Sequence, residues 1–197
     1  MKTPRCQHCN GPMAVRAKST ARYCSGRCRT AACRARKTIP AELTRRPRWV
    51  RHTARKVPLT VGGAVASSTD RSTWSRYRDA ARSSAGTGLG FVLDGDGVAV
   101  LDLDGALDDQ GQPLPWAQRI LDAAPGCWVE TSVSGRGLHV WGRGSLPRGR
   151  RIRVGAGVVE AYTDGRFVAV TGRTFGRAPL RLGDLGPVLG ELGLVGQ

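Results

Sequence analysis

"VAVLDLDGAL", Val98 to Leu107, sets the fold and poses a chemical problem at once. Side chains of an extended segment alternate faces, so Ala99, Leu101 and Leu103 point one way and Val100, Asp102 and Asp104 the other. The run reads as a buried strand with two carboxylates on one face, roughly 7 Å apart along the backbone. Like charges so placed raise each other's pKa unless something positive lies between them. A divalent cation meets that need, and magnesium typically takes one or two protein carboxylates together with substrate phosphates.

Around this strand, turns alternate with short periodic segments. "STWSRYRDAARSS" and "PWAQRILDAA" are helix-like. "GLGFVL" and "GVAVLDLDG" read as strands joined across the Asp-Gly turns of "DGDG". "CWVETSVSG", "GLHVWGR" and "GAGVVEAYTDGRFVAVTG" follow, the last predicted to be a hairpin folded at "TDG", before a Gly/Leu-rich tail. Strand patterns outnumber helical ones, so the predicted class is α+β, a mainly antiparallel sheet flanked by helices.

Two further stretches carry chemistry. In "SVSGRGLHVWG", Gly135 and Gly137 permit a tight loop whose amides can approach phosphates, and His139 shares a strand face with Trp141. Ser134, Arg136 and His139 could all donate to phosphate oxygens, although a Gly-rich hairpin with a half-buried histidine is also a common structural feature. In "GVVEAYTDGRFVAVTG", Glu160 is a carboxylate inside an otherwise apolar strand. It is a ligand candidate only if its face also carries Asp102 and Asp104.

Charge divides the chain. Of the formal +16, residues 1–56 contribute 16 Lys or Arg against the single acid Glu42, whereas residues 57–197 hold 15 against 14. Such a basic segment predicts attraction to phosphate backbones and a marked salt dependence, the plain alternative being a solubilising tail. Five of six cysteines lie in it, and Cys6, Cys9, Cys24 and Cys28 read C-x2-C followed after 14 residues by C-x3-C. Zinc is the expected ligand, because a small segment poor in apolar residues needs a staple and disulfides are rare in the cytosol. Cys33 or His8 could replace one ligand, and Arg27, Arg29, Arg34 and Arg36 are available for phosphates. Cys127, alone beside Trp128, reads as a core thiol. The predicted division is a zinc module over 1–38, a charged, proline-containing linker over 39–55 and a catalytic domain over 56–197. No run of about 18 apolar residues occurs and no hydrophobic segment follows the basic N-terminus, so neither a membrane span nor a secretory signal is expected, and a cytoplasmic setting is.

The ordered set "LDLDG", "SGRGLHVW" and "VVEAYTDGRFVAVTG", preceded by "KVPLT…ASSTDRSTWSRY" and "GLGFVL", resembles the bifunctional primase/polymerase domains of the archaeo-eukaryotic primase superfamily found in phages and plasmids. The likeness covers roughly Lys56 to Arg173. It implies an RRM-like catalytic sheet with flanking helices, with Asp102, Asp104 and Glu160 as ligands of catalytic Mg2+ or Mn2+. It further implies that Ser134, Arg136 and His139 meet the triphosphate of an incoming nucleotide, with Arg166 and Lys56 as additional phosphate contacts. The implied activity is primer synthesis or extension on single-stranded DNA from nucleoside triphosphates, one metal ion activating the primer 3′-hydroxyl and the other steadying the pyrophosphate. Unwinding would fall to a separate replicative helicase, and a phage product would work in the cytoplasm of its bacterial host. Glu at the third carboxylate, where many relatives carry Asp, leaves the metal geometry open, and the zinc module is not a fixed feature of the family.

Two other readings compete. "VLDLDGAL" also resembles the first motif of haloacid-dehalogenase-type phosphatases, but Ala106 stands where Thr commonly follows, no lysine occurs after Lys56, and the later paired acids are missing. A catalytically silent zinc protein that binds nucleic acid would explain the basic segment alone. It leaves three carboxylates on apolar strands without a partner, which is costly.

Overall fold

The computed structural model describes residues 6, 12–13, 21–29 and 38–195. The chain forms two compact units, 1–38 and 39–197.

In the first unit Cys6, Cys24 and Cys28 bring their sulfur atoms within 4.8 Å of one another. A helical turn over 26–29 carries Cys28, and Cys24 lies in the bend that leads into it. Ser25 caps that turn by accepting the Cys28 N–H at 3.1 Å, and the Cys24 and Cys28 sulfurs stand 3.4 Å apart. Cys9, Cys33, His8, Arg34 and Arg36 lie outside the described residues.

The second unit is α+β. Its helices are α1 (Ala41–Thr44), α2 (Tyr77–Arg82), α3 (Pro115–Ala123) and α4 (Gly186–Glu191). Its strands are β1 (Trp49–His52), β2 (Pro58–Leu59), β3 (Gly88–Asp94), β4 (Val98–Asp104), β5 (Trp128–Thr131), β6 (Leu138–Arg143), β7 (Arg150–Val154), β8 (Gly157–Tyr162), β9 (Asp164–Val170) and β10 (Gly183–Asp184). They form a four-stranded sheet in the order β2-β1-β3-β9 and a six-stranded sheet in the order β10-β6-β4-β8-β7, with β5 also on β6. All pairings are antiparallel except β10 with β6.

The alternation in β4 decides the layering. Ala99, Leu101 and Leu103 pack with Val159, Ala161 and Val140 under Trp116 and Ile120 of α3 and Val188 and Leu189 of α4. Val98 and Val100 face the other way, joining Trp128 and Trp141 against Trp49, Phe91, Leu93, Val168 and Val170 of the four-stranded sheet. Each such fully buried aliphatic side chain contributes about 1.5–3 kcal/mol. A one-residue slip of β4 would move its carboxylates into the helix-covered core, so the register is strongly specified.

Three expectations are corrected. Residues 39–55 are not a linker: Leu43, Trp49 and Val50 are fully buried, Trp49 Nε1 donates to Leu43 O at 3.1 Å, and β1 pairs with β3. The charge of this segment hid an apolar pattern, and its Arg48 is itself 5% exposed and bonded to Asp96. The "DGDG" turn does not close a hairpin, because β3 and β4 enter different sheets. Gly95 and Gly97 take φ of 68° and 84°, and Asp94 and Asp96 are held by Arg71, Arg46 and Arg48 on the four-stranded side. Burial raises the Asp96 carboxyl, but the hydrogen bonds and charges of Arg46 and Arg48 outweigh it and hold the group below its ordinary value. "TDG" is likewise a crossover: β8 pairs with β4, whereas β9 pairs with β3. Among the described residues the true hairpins are β1-β2, β5-β6 and β7-β8. The helix-like stretch before β3 divides into a 3-10 turn over Arg71–Thr73, capped by Asp70, and α2.

Candidate active site

Register places five polar side chains in one row across five strands. Glu130 of β5 lies opposite His139 of β6, His139 opposite Asp102 of β4, Asp102 opposite Glu160 of β8, and Glu160 opposite Arg151 of β7. Directly opposed residues share a face, and this is the face that meets the four-stranded sheet. His139 Nε2 stands 3.6 Å from Asp102 Oδ1, and Arg151 Nε donates to Glu160 Oε1 at 3.1 Å.

The middle of the row, His139, Asp102 and Glu160, lines a cavity of about 430 Å³ between the sheets, with Lys56, Arg166 and Phe167 among the residues facing it. That volume is typical of small-molecule sites. Lys56 is the last lysine of the chain and sits at a positive φ of 57°, a left-handed conformation uncommon for any residue with a Cβ. Its turn is secured by the Thr53 carbonyl, which accepts the Lys56 N–H at 2.9 Å, and by Thr53 Oγ1, which accepts from Val57 N.

Burial pushes the Asp102 carboxyl above its ordinary value; Asp104 and Glu160 add to the rise, while His139 and Lys56 oppose it. Tyr162 donates to Glu160 Oε2 at 2.7 Å beneath the Arg166 guanidinium, and burial, then this bond, push its hydroxyl up to about 12. Arg166 also approaches Glu160 Oε2 at 3.9 Å.

Of the residues singled out from sequence, Asp102, His139, Glu160, Lys56 and Arg166 therefore converge on the cavity. Asp104 does not line it: it ends β4, exposed, opposite Val158. Ser134 and Arg136 are exposed at the tip of the 132–137 loop, at that same end of β4. There the Arg136 carbonyl accepts from Leu107 N, Ser132 Oγ accepts from Gly137 N, and the Arg136 guanidinium approaches Asp109 at 3.8 Å. Cys127 is buried, its thiol pushed up by burial to about 11, in keeping with a core role.

Glu130 was missed. It is fully buried, its Oε1 accepting from Trp141 Nε1 and meeting His139 Nδ1, both at 3.1 Å, while Oε2 accepts the backbone N–H groups of Thr171 and Gly172, both at 2.8 Å. The acceptor at Nδ1 fixes the ring's hydrogen there and turns Nε2 toward Asp102 and the cavity. In "CWVETS" this glutamate reads as an ordinary solvated strand residue, and nothing local signals its burial.

No protein-family model matches the chain. It is, however, 34% identical over 153 residues to a protein of Nitratiruptor phage NrS-1 named DNA Primase-polymerase, covering 73% of this chain and 21% of that protein. The chain is a relative of the phage primase-polymerases. It spans about a fifth of that relative's length. Among the described residues, no helix is long and apolar enough to cross a membrane.

Proposed function

We propose that the 39–197 unit is a DNA-directed nucleotidyltransferase that makes or extends primers on single-stranded DNA from nucleoside triphosphates, in an RRM-like sheet built on β6-β4-β8. The observation that carries this reading is the in-register row of His139, Asp102 and Glu160, facing Lys56 and Arg166 across one cavity. The donor set suits a hard divalent cation such as Mg2+ or Mn2+: Asp102, Asp104 and Glu160 offer only oxygen, and a cation would offset both the burial that chiefly lifts Asp102 and the smaller repulsion from Asp104 and Glu160. When bound, such an ion would activate the attacking hydroxyl and neutralise charge on the departing pyrophosphate. The chain's own residues do the rest. Lys56, Arg166 and His139 hold the triphosphate by charge and hydrogen bonds, with Ser134 and Arg136 at its rim. Glu130 fixes the His139 ring, and the second sheet limits water around Asp102.

The first unit is read as a zinc module on Cys6, Cys9, Cys24 and Cys28, which the clustering of Cys6, Cys24 and Cys28 supports, and template binding is assigned to it on its basic charge. Strand separation is assigned to a replicative helicase activity.

Two features favour a second reading, a nucleic-acid-binding protein without catalysis: both Glu160 oxygens are engaged, by Arg151 and Tyr162, and Asp104 lies off the cavity. Labelled-nucleotide incorporation on a single-stranded template, with and without primer and with Mg2+ or Mn2+, separates the two. Primer-independent product that Asp102→Ala/Asp104→Ala loses while keeping template affinity supports the polymerase. Folded, template-binding protein that makes no product under either metal supports the silent binder.

A further inference from the structure

Residues 57–197 carry 15 arginines against 14 acids, yet four of those arginines, Arg148, Arg150, Arg151 and Arg153, fall within six consecutive positions. All four are exposed, on or just before β7, the free edge of the six-stranded sheet. Ile152 and Val154 pack onto the core below α3, which fixes the facing of the strand. Arg151 stands opposite Glu160, in the row of Asp102, and Arg153 stands opposite Val158, in the row of Asp104. The carboxylate face of the sheet thus ends in Arg151 and Arg153, while Arg150, opposite Ala161, lines the same free edge from the helix-covered face.

Charge on an edge strand commonly serves to prevent pairing with another sheet. One or two charges suffice for that, and only Arg151 is neutralised here. Among the described residues Arg148, Arg150 and Arg153 have no acidic partner. All four are arginine, whose planar fork matches the oxygens of a phosphodiester.

We propose that β7 is a track for the phosphodiester backbone of a single nucleic-acid strand, holding it beside the carboxylate row. This deepens the polymerase reading by naming how the catalytic unit grips its strand, and it rests on that reading for the strand's role but not for binding itself. Arg151 is set aside from the test because it touches Glu160.

The test compares the full chain with Arg148→Ala/Arg150→Ala/Arg153→Ala, and with Arg82→Ala/Arg119→Ala/Arg177→Ala, which removes the same charge from exposed positions elsewhere. Affinity for a fluorescein-labelled single-stranded oligonucleotide is read by anisotropy over a series of salt concentrations. The β7 variant is expected to bind about tenfold or more weakly, with its logarithmic salt slope shallower by about 2, from about 0.7 per lost phosphate contact. The control variant is expected to change much less. Equal losses in the two variants would reduce β7 to a share of the general field and overturn the proposal. Unchanged binding with self-association on size exclusion would overturn it in favour of edge protection. Since the readout is binding, a wild-type chain that makes no product, together with a β7 variant that loses affinity, sinks the polymerase reading and leaves the track standing.

Discussion

Glu130→Gln is nearly isosteric and removes one charge, yet it should destabilise the second unit severely. The carboxylate meets four N–H donors in a site sealed from solvent: His139 Nδ1 and Trp141 Nε1 on one oxygen, Thr171 N and Gly172 N on the other. A glutamine amide has one oxygen, which must stay with the two backbone donors, since these cannot reorient. Its NH2 then faces His139 and Trp141. The imidazole can shift its hydrogen to Nε2 and accept at Nδ1, but the indole N–H has no such option and is left unpaired, at a cost of about 1–3 kcal/mol. The two backbone bonds also lose charge assistance, about 1 kcal/mol each. The sum is about 3–5 kcal/mol, a large part of the 5–15 kcal/mol typical of a domain. All five tryptophans, Trp49, Trp74, Trp116, Trp128 and Trp141, lie in the second unit, so tryptophan fluorescence during urea unfolding of the full chain reports on that unit alone. Adding Trp141→Phe should couple with Glu130→Gln and recover part of the loss, and the imidazole nitrogen shifts should report the changed tautomer. A loss below about 1 kcal/mol, within the ordinary surface range, with no coupling to Trp141, would refute the reasoning.

Three further outcomes are expected. Because the folded Asp102 carboxyl titrates above its ordinary value, its contribution to stability is present at low pH and is lost as pH rises through the raised value. Asp102→Asn should therefore raise the melting temperature at neutral pH but not in acid, and should abolish the stabilisation that Mg2+ gives the unsubstituted chain; equal melting shifts at both pH values would count against it. Purified full chain should carry one zinc ion, lost in Cys24→Ser/Cys28→Ser by elemental analysis, and retention of the metal would remove these thiols from the ligand set. A chain lacking residues 1–38, cut before the buried Ile39, should keep its fold while binding template more weakly with a shallower salt slope, and an unchanged slope would return the segment to the status of a tail.

The strands that carry the site were legible because their signal is local. Alternation in "VAVLDLDG" and "GVVEAY" placed Asp102 and Glu160 on defined faces, and the length and apolar spacing of "PWAQRILDAA" marked α3. The crossovers were not legible: Asp-Gly and Thr-Asp-Gly dipeptide signals report a change of direction without saying which sheet the chain enters next. At the Asp-Gly crossover the carboxylates are held from distant positions, by Arg46, Arg48 and Arg71, and no dipeptide encodes such partners. The same holds for residues 39–55, whose charges suggested solvent until Arg48 found Asp96.

The sequence by itself determined which residue types could do chemistry and which side of each strand they occupy, because pleat and periodicity are properties of neighbouring residues. Tertiary structure decided which of them meet. Hydrogen-bonded register between strands far apart in the chain aligned Glu130, His139, Asp102, Glu160 and Arg151, brought Lys56 across from the other sheet, and left Asp104 and Arg136 at the rim. Burial, which raises Asp102 and seals Glu130 among its donors, exists only once the two sheets close on each other.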